Sequence, residues 1–336
     1  MTRRAEARAR QAARRAARAR LRDVHGIVLL DKPLGLSSNQ ALQAVRRLLR
    51  AAKGGHTGSL DPQASGLLPL CFGEATKLAG NLLGARKAYV AECRLGVTTD
   101  TGDSEGEIVR RCAVPELTTA MIEAALAGLR GRIWQVPPAY SALKRDGERL
   151  YVKARRGEQV DVPAREVDVH RLDLLDHAAD TVRLHIECGS GTYVRSLATS
   201  LGETLGCGAH VTALRRLWVE PFRDPQMVTL NELEAAAVEG DAALERWLLP
   251  VAAGLQDLPQ VTLDDADSAA IARGQPIVLA VAGGARCAAF ASDGALLAVL
   301  DVAADGRTRI VRGFNLPPDL PAPACALVET PPASVE

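Results

Sequence analysis

Between Gly54 and Lys77 the chain reads GGHTGSLDPQASGLLPLCFGEATK. Gly54, Gly55, Gly58 and Gly66 surround one carboxylate, Asp61, which is followed by a proline and then by an apolar run. No other stretch constrains the fold as much. The glycines permit close approach of backbone or ligand, and the apolar run requires burial directly after a bend. Taken locally, Asp61-Pro62 fits a helix start, with aspartate as N-cap and proline as first helical residue. Ser65-Gly66 would interrupt such a helix almost at once, and His56 and Thr57 add hydrogen-bonding groups to the same loop. A caged aspartate can serve as nucleophile or base where a cation keeps it ionised.

The 336 residues are enough for roughly two domains with a substantial core. No apolar run approaches the roughly 20 residues of a membrane helix, and the N-terminus lacks an apolar signal-peptide core. The seven cysteines (71, 93, 112, 188, 207, 287, 325) are scattered and never spaced C-x-x-C. They read as reduced thiols, with neither a disulfide frame nor a zinc site, and imply a cytoplasmic protein. Charge is uneven. Residues 1–22 hold nine of the 41 Lys/Arg and one of the 40 Asp/Glu, leaving 32 against 39 in the remainder, a formal −7. A basic arm on an acidic body is compatible with nucleic-acid binding, and equally with a solvated Ala/Arg tail.

After the arm, Val24–Leu30 reads as a strand and Ser37 or Ser38 caps a helix carrying Leu42, Val45, Leu48 and Leu49. Further strands are expected at 87–96, 167–175, 182–188 and 210–222. Helices are expected at 116–130, from Val194 through Leu201, and over 230–249. Residues 98–107 read as a turn-rich loop. Beyond Pro259 the pattern changes to short strands with glycine turns and one helix at 265–273. The Pro-rich end, 317–336, carries no structural signal and is expected to be disordered, as is the arm, 1–23.

An aspartate acting at an anomeric carbon suggests glycoside hydrolysis, which normally uses two carboxylates about 5–9.5 Å apart. Only Glu74 lies close in sequence. One carboxylate acting alone suits a reaction with no external water and no lost leaving group. At this point the chain resembles the TruB family of tRNA pseudouridine synthases, which isomerise uridine 55 in the tRNA T-loop. The resemblance rests on GGHTGSLDPQASGLLPLCFGEATK together with GIVLLDKPLGLSSN, KAYVAECRLGVTTDTGD, PPAYSALKRDGERLY and GTYVRSLATSLGETLGCGAHVTALRR, in the family's order. It spans about residues 25–316. Where relatives commonly read GALDPLATG, this chain has GSLDPQASG, so Ser59 and Gln63 depart from the pattern and Ser65 keeps a hydroxyl.

The resemblance implies a mixed α/β (α+β) catalytic domain around a largely antiparallel sheet, here 24–250, with a small β-rich PUA-like domain at 258–316. A basic insertion at about 137–165 would grip the T-arm of tRNA through Lys144, Arg145, Arg149, Lys153, Arg155 and Arg156. Asp61 would start cleavage of the C1′–N1 bond, as nucleophile or as base in a glycal route. The freed uracil would then turn and rejoin through C5, with no metal or other cofactor. Arg195 would pair with Asp61, Tyr89 would stack under the flipped base and be placed for proton transfer at C5, Tyr193 and Leu214 would line the pocket, and His56 would contact RNA. Asp103 would orient Arg195, and Lys32 would support the loop. Flipping a stacked uridine costs a few kcal/mol, which stacking of about 1–3 kcal/mol per base can offset. All four tyrosines (89, 140, 151, 193) fall between residues 89 and 193. The implied enzyme is a stand-alone monomer, with no obligatory protein partner, guide RNA or membrane.

The segment HRLD, ending at Asp173, spells the catalytic signature of another pseudouridine synthase type, the RluA type. It lacks the following Thr-Ser-Gly-like element and alternates like a strand, so Asp61 is preferred. A dinucleotide-binding reading of GSGTYV fails because Val194 stands where the third glycine belongs. An RNA-folding chaperone in which catalysis is secondary is the competing reading, and the two activities can coexist.

Overall fold

The computed structural model describes residues 21–138, 140, 144–145, 148–150, 156, 158, 162–279 and 284–317. In chain order the strands of the large sheet are β1 (Gly26–Lys32), β2 (Gly54–His56), β3 (Ala64–Phe72), β4 (Lys87–Leu95), β5 (Gly131–Gln135), β6 (Arg165–His177), β7 (Thr181–Cys188) and β8 (Ala209–Val219). They lie side by side as β1-β3-β8-β4-β7-β6-β5, with β2 paired on β3. Every pairing is antiparallel except that of β8 with β3, where Leu214, Arg215 and Arg216 face Ala64, Ser65 and Gly66.

Burial explains which strands were legible. On β1, Val28 and Leu30 join the core beneath α1 (Ser38–Leu48), α2 (Thr119–Ala127), α3 (Val194–Thr204) and α4 (Leu230–Glu239). Ile27 and Leu29 point to a second core on the other face. On β3, Leu68, Leu70 and Phe72 take the first side, and Leu67 and Cys71 the second. Strands buried on both faces are continuously apolar. The apolar run after Asp61 is therefore a strand, and the helix start that Asp61-Pro62 permits is not formed. β6 and β7 have one wetted face, and their alternation is visible in the sequence. The expected helix over 230–249 is split by Gly240 (φ +121) into α4 and a short turn of helix at Asp241–Glu245. The loop after β4 contains a small hairpin, Val97–Thr99 with Ile108–Arg111.

The C-terminal unit is a four-stranded sheet, β9 (Gln260–Thr262), β10 (Arg286–Phe290), β11 (Leu296–Val302) and β12 (Thr308–Gly313), with α5 (Asp265–Ala272). One of its faces closes its own core around Ile271, Ala289 and Leu300. The other presents Ala288, Phe290, Val299 and Phe314 to the second core of the large sheet. Glu74 fastens this junction. Its carboxylate accepts from Lys77 and from the backbone N–H of Asn315 (2.7 Å), and Lys77 also donates to the Gly313 carbonyl (2.8 Å). Within the expected basic insertion, Lys144–Arg145 pairs with Glu148–Arg149, and Arg156 binds Glu148 and Glu158. Tyr151, Lys153 and Arg155, the arm to residue 20 and the tail from 318 lie outside the described residues. No helix among the described residues is long and apolar enough to cross a membrane.

Candidate active site

Asp61 opens a β-turn. Ala64 N–H donates to the Asp61 carbonyl (3.0 Å), with Pro62 at the position whose fixed φ suits the turn. Neighbours hold the turn from both ends. The Ser38 hydroxyl donates to the Leu60 carbonyl (3.0 Å) and accepts from the Leu60 N–H (2.7 Å). Gly35 N–H reaches the Pro62 carbonyl (2.8 Å). Lys32 is fully buried and donates to the carbonyls of Pro33 (2.8 Å) and Leu36 (2.6 Å), with that of Pro62 at 3.5 Å. Burial lowers its pKa to about 8, with Asp61 pulling upward and Arg216 downward.

Arg195, near the start of α3, places Nη2 3.0 Å from Asp61 Oδ2 and Nη1 3.4 Å from Asp103 Oδ2. It also donates to the carbonyls of Thr101 (2.8 Å) and Tyr140 (2.9 Å). Asp103 is fixed in turn by the Thr101 hydroxyl (2.6 Å) and the Glu105 N–H (3.1 Å). The pair is asymmetric, since the Arg195 side chain is 6% exposed and that of Asp61 47%. Surrounding protein raises the Asp61 pKa. Arg195 and Lys32 pull it down, and Asp103 and Glu105 push it up, so the net position is above the ordinary aspartate value. Arg195 thus favours the carboxylate without fully offsetting burial.

The sheet beside the turn is built from β4 and β8. Leu214 faces Ala91 and Arg216 faces Tyr89 across the antiparallel pair, and Leu214 also sits beside Ala64. Tyr89 is buried, with Arg216 and Asp61 among the charged groups that act on it. Tyr193 precedes α3 and exchanges two hydrogen bonds with Gln135, its N–H to Oε1 (2.7 Å) and its carbonyl from Nε2 (3.1 Å). Arg165 lies over its ring, 5.1 Å from the centroid. His56 lies on β2, where burial and then Arg216 lower its pKa, leaving a neutral imidazole near pH 7. Its Nδ1 and the Thr57 hydroxyl are buried without a hydrogen-bond partner. Asp173, by contrast, lies on β6 in an exposed ion pair with Arg171. No group of three or more His, Cys, Asp or Glu among the described residues is arranged to hold a metal.

Three participants escaped sequence reasoning. Gln135 acts only across the fold, and its strand, β5, was not expected. Thr101 holds both Arg195, through its carbonyl, and Asp103, through its hydroxyl. Arg216 carried a usable signal, because residues two apart on a strand share a face and Leu214 already pointed to the pocket.

Residues 46–194 match the family described as TruB family pseudouridylate synthase (N terminal domain), and residues 195–256 match the tRNA pseudouridylate synthase B C-terminal domain. The chain is 57% identical over 301 residues to a protein of Xanthomonas axonopodis pv. citri named tRNA pseudouridine synthase B, covering 90% of this chain and 97% of that one. A relative of the same name from Xylella fastidiosa is 52% identical over 295 residues, covering 88% and 97%. Among solved structures, a Cbf5-Nop10-Gar1 complex contains a chain of the same fold, with a TM-score of 0.67 at 24% identity over 87% of this chain and 84% of that one. With the aspartate turn, its arginine and the tyrosine wall on one side of a largely antiparallel sheet, and with relatives matched over nearly their whole length, this chain belongs to the TruB family of pseudouridylate synthases.

Proposed function

We propose that the protein converts uridine to pseudouridine at position 55 in the T-loop of tRNA, with Asp61 starting the cleavage of the C1′–N1 bond. The observation that carries this reading is the contact of Arg195 with Asp61 (3.0 Å) at a solvent-open turn, with Tyr89 walling the pocket behind it. Arg195 holds the carboxylate ionised and oriented. Tyr89 and Leu214 offer flat and apolar surfaces to an extruded base, and Tyr193, fixed by Gln135, borders it. After cleavage the base stays in the pocket, turns and rejoins through C5, so atoms are conserved and no water enters the products. His56, as a neutral imidazole, contacts RNA beside the flipped nucleotide. Residues 137–165 grip the T-arm, and 258–316 form a PUA-like unit. The enzyme works as a cytoplasmic monomer without a guide RNA.

The test is to incubate the protein with unmodified tRNA and map pseudouridine chemically. Modification is expected in the T-loop, abolished by Asp61→Asn with tRNA binding retained and unaffected by Asp173→Asn. Modification that persists in Asp61→Asn would overturn the assignment. Binding and refolding of tRNA without any modification would favour the chaperone reading.

A further inference from the structure

Arg216 is the largest fully buried side chain in the described structure, at 0% exposure. No carboxylate among the described residues pairs with it. Its Nε donates to the Leu67 carbonyl (2.7 Å) and its Nη2 to the Gly58 carbonyl (3.2 Å), so it spans the two sides of the Asp61 turn. Its backbone is clamped as well, because a Cβ on Gly66 would sit 2.1 Å from the Arg216 carbonyl oxygen. Around it stand two further buried cations, Lys32 from β1 and Lys87 from β4, together with His56 from β2 and Cys188 from β7. A buried charge without a partner costs several kcal/mol. Such a charge is well used where negative charge develops during reaction, since a preorganised donor in a dry site then stabilises the transition state selectively.

The group Arg216 addresses is Tyr89. The two are direct cross-strand partners on one face of the sheet, so the guanidinium charge acts on the neighbouring phenol. Cys188 from β7 and Asp61 from the turn are the other titratable groups facing that phenol. We propose that Arg216 is a positioning residue for the proton transfer at C5 that the family resemblance implies for Tyr89: it stabilises the Tyr89 oxygen in the ionised form that takes the C5 proton after the base has rejoined the sugar. In that step the C5–H bond breaks and its electron pair restores the C5=C6 double bond. The N1=C6 pair moves onto N1, Tyr89 receives the C5 proton, and N1 is protonated, so one proton has moved from C5 to N1. Burial first, then Cys188 and Asp61, raise the Tyr89 pKa, and the Arg216 charge opposes them.

This proposal rests on the pseudouridine synthase reading, and its test separates the two. Unmodified tRNA carrying deuterium at C5 of its uridines is turned over once by the wild type, Arg216→Met, Arg216→Lys, Tyr89→Phe and the Arg216→Met/Tyr89→Phe double variant. Rates at saturating enzyme are followed across pH, and tRNA affinity is measured separately. If the wild type makes no pseudouridine, the functional reading falls. If it does, Arg216→Met is expected to lose about a hundredfold in rate at unchanged tRNA affinity, the low end of a general acid–base contribution. A normal isotope effect should appear, and the pH–rate midpoint should move upward. Arg216→Lys should recover part of the rate and of the pH shift, and it carries the same readouts if the methionine variant does not fold. In the Tyr89→Phe background Arg216→Met should cost nothing further, as expected of coupled residues. Losses that multiply in the double variant, a loss confined to tRNA affinity, or a slower rate with neither isotope effect nor pH shift would each overturn the proposal.

Discussion

Arg195 holds Asp61 at 3.0 Å from a position almost wholly removed from water, while half of the Asp61 side chain stays open to it. The arginine is the fixed member and the aspartate the reaching one. Its fixity comes from Asp103, Thr101 and Tyr140, which occupy its other donors.

Arg195→Met should therefore harm both chemistry and folding. It leaves buried Asp103 and two carbonyls without their donor, which should lower unfolding free energy by about 3 kcal/mol, as for other broken buried pairs. The rate of pseudouridine formation should fall about a hundredfold or more, comparable to removal of one preorganised charge donor. Arg195→Lys should restore charge without the fork and recover only part of each. Urea denaturation and single-turnover kinetics report the two losses separately.

Acidification should inactivate the enzyme through Asp61. In the proposed reaction the carboxylate acts in its ionised form, and its pKa is raised above that of an ordinary aspartate, so the acid limb should lie above that value. Glu105→Gln removes an upward push and should move the limb down. The raised pKa also makes ionised Asp61 a burden on folding. Asp61→Asn should melt higher than the parent at neutral pH, with the difference vanishing as pH drops below the ordinary aspartate value. Calorimetry at several pH values would expose an error of sign.

Gly66→Ala should disable the site from behind. Gly66 has φ +95, and an added Cβ would collide with the Arg216 carbonyl oxygen at 2.1 Å. Strain at such a position is worth roughly 1–3 kcal/mol before the collision is counted. The expected result is a loss of at least about 2 kcal/mol in stability, together with the loss of most activity, because β8 carries Leu214 and Arg216. Wild-type stability in this variant would mean that β3 and β8 are looser than drawn.

Glu74→Gln should loosen the C-terminal unit while leaving the Asp61 turn in place. Burial pushes the Glu74 pKa up, but the hydrogen bonds from Lys77 and Asn315, with the Lys77 and His25 charges, outweigh it and leave the pKa low. A depressed carboxylate stabilises the fold above its unfolded pKa, and that contribution is lost as pH falls through the folded value. Amide exchange at 313–315 should quicken in Glu74→Gln at neutral pH, and in the wild type only on acidification.

Much of the site was legible because its chemistry is local. Asp61 is announced by the glycines and proline around it, and Tyr89 and Arg195 by the motifs they occupy. Gln135 and Arg216 were missed because their roles exist only through strand pairing: Gln135 meets Tyr193 across 58 positions, and Arg216 meets Tyr89 across β4 and β8. The same physics hid β3. The unbroken apolar run over residues 67–72 of β3, buried on both faces, shows no period from which to read a strand, whereas β6 and β7, wet on one side, do. The family resemblance supplied the largely antiparallel sheet but not the single parallel neighbour at its centre.

That one parallel contact sets an order of events. The pairing of Ala64 with Leu214 closes a loop that contains β4 through β7, a closure of the kind that makes folding slow. Until β8 slots in, β3 and β4 present unpaired apolar margins, the state in which growing chains stick to one another. A nascent chain stopped short of Ala209 would therefore depend on chaperoning, and insertion of the final strand would confer enzymatic competence and solubility in a single event.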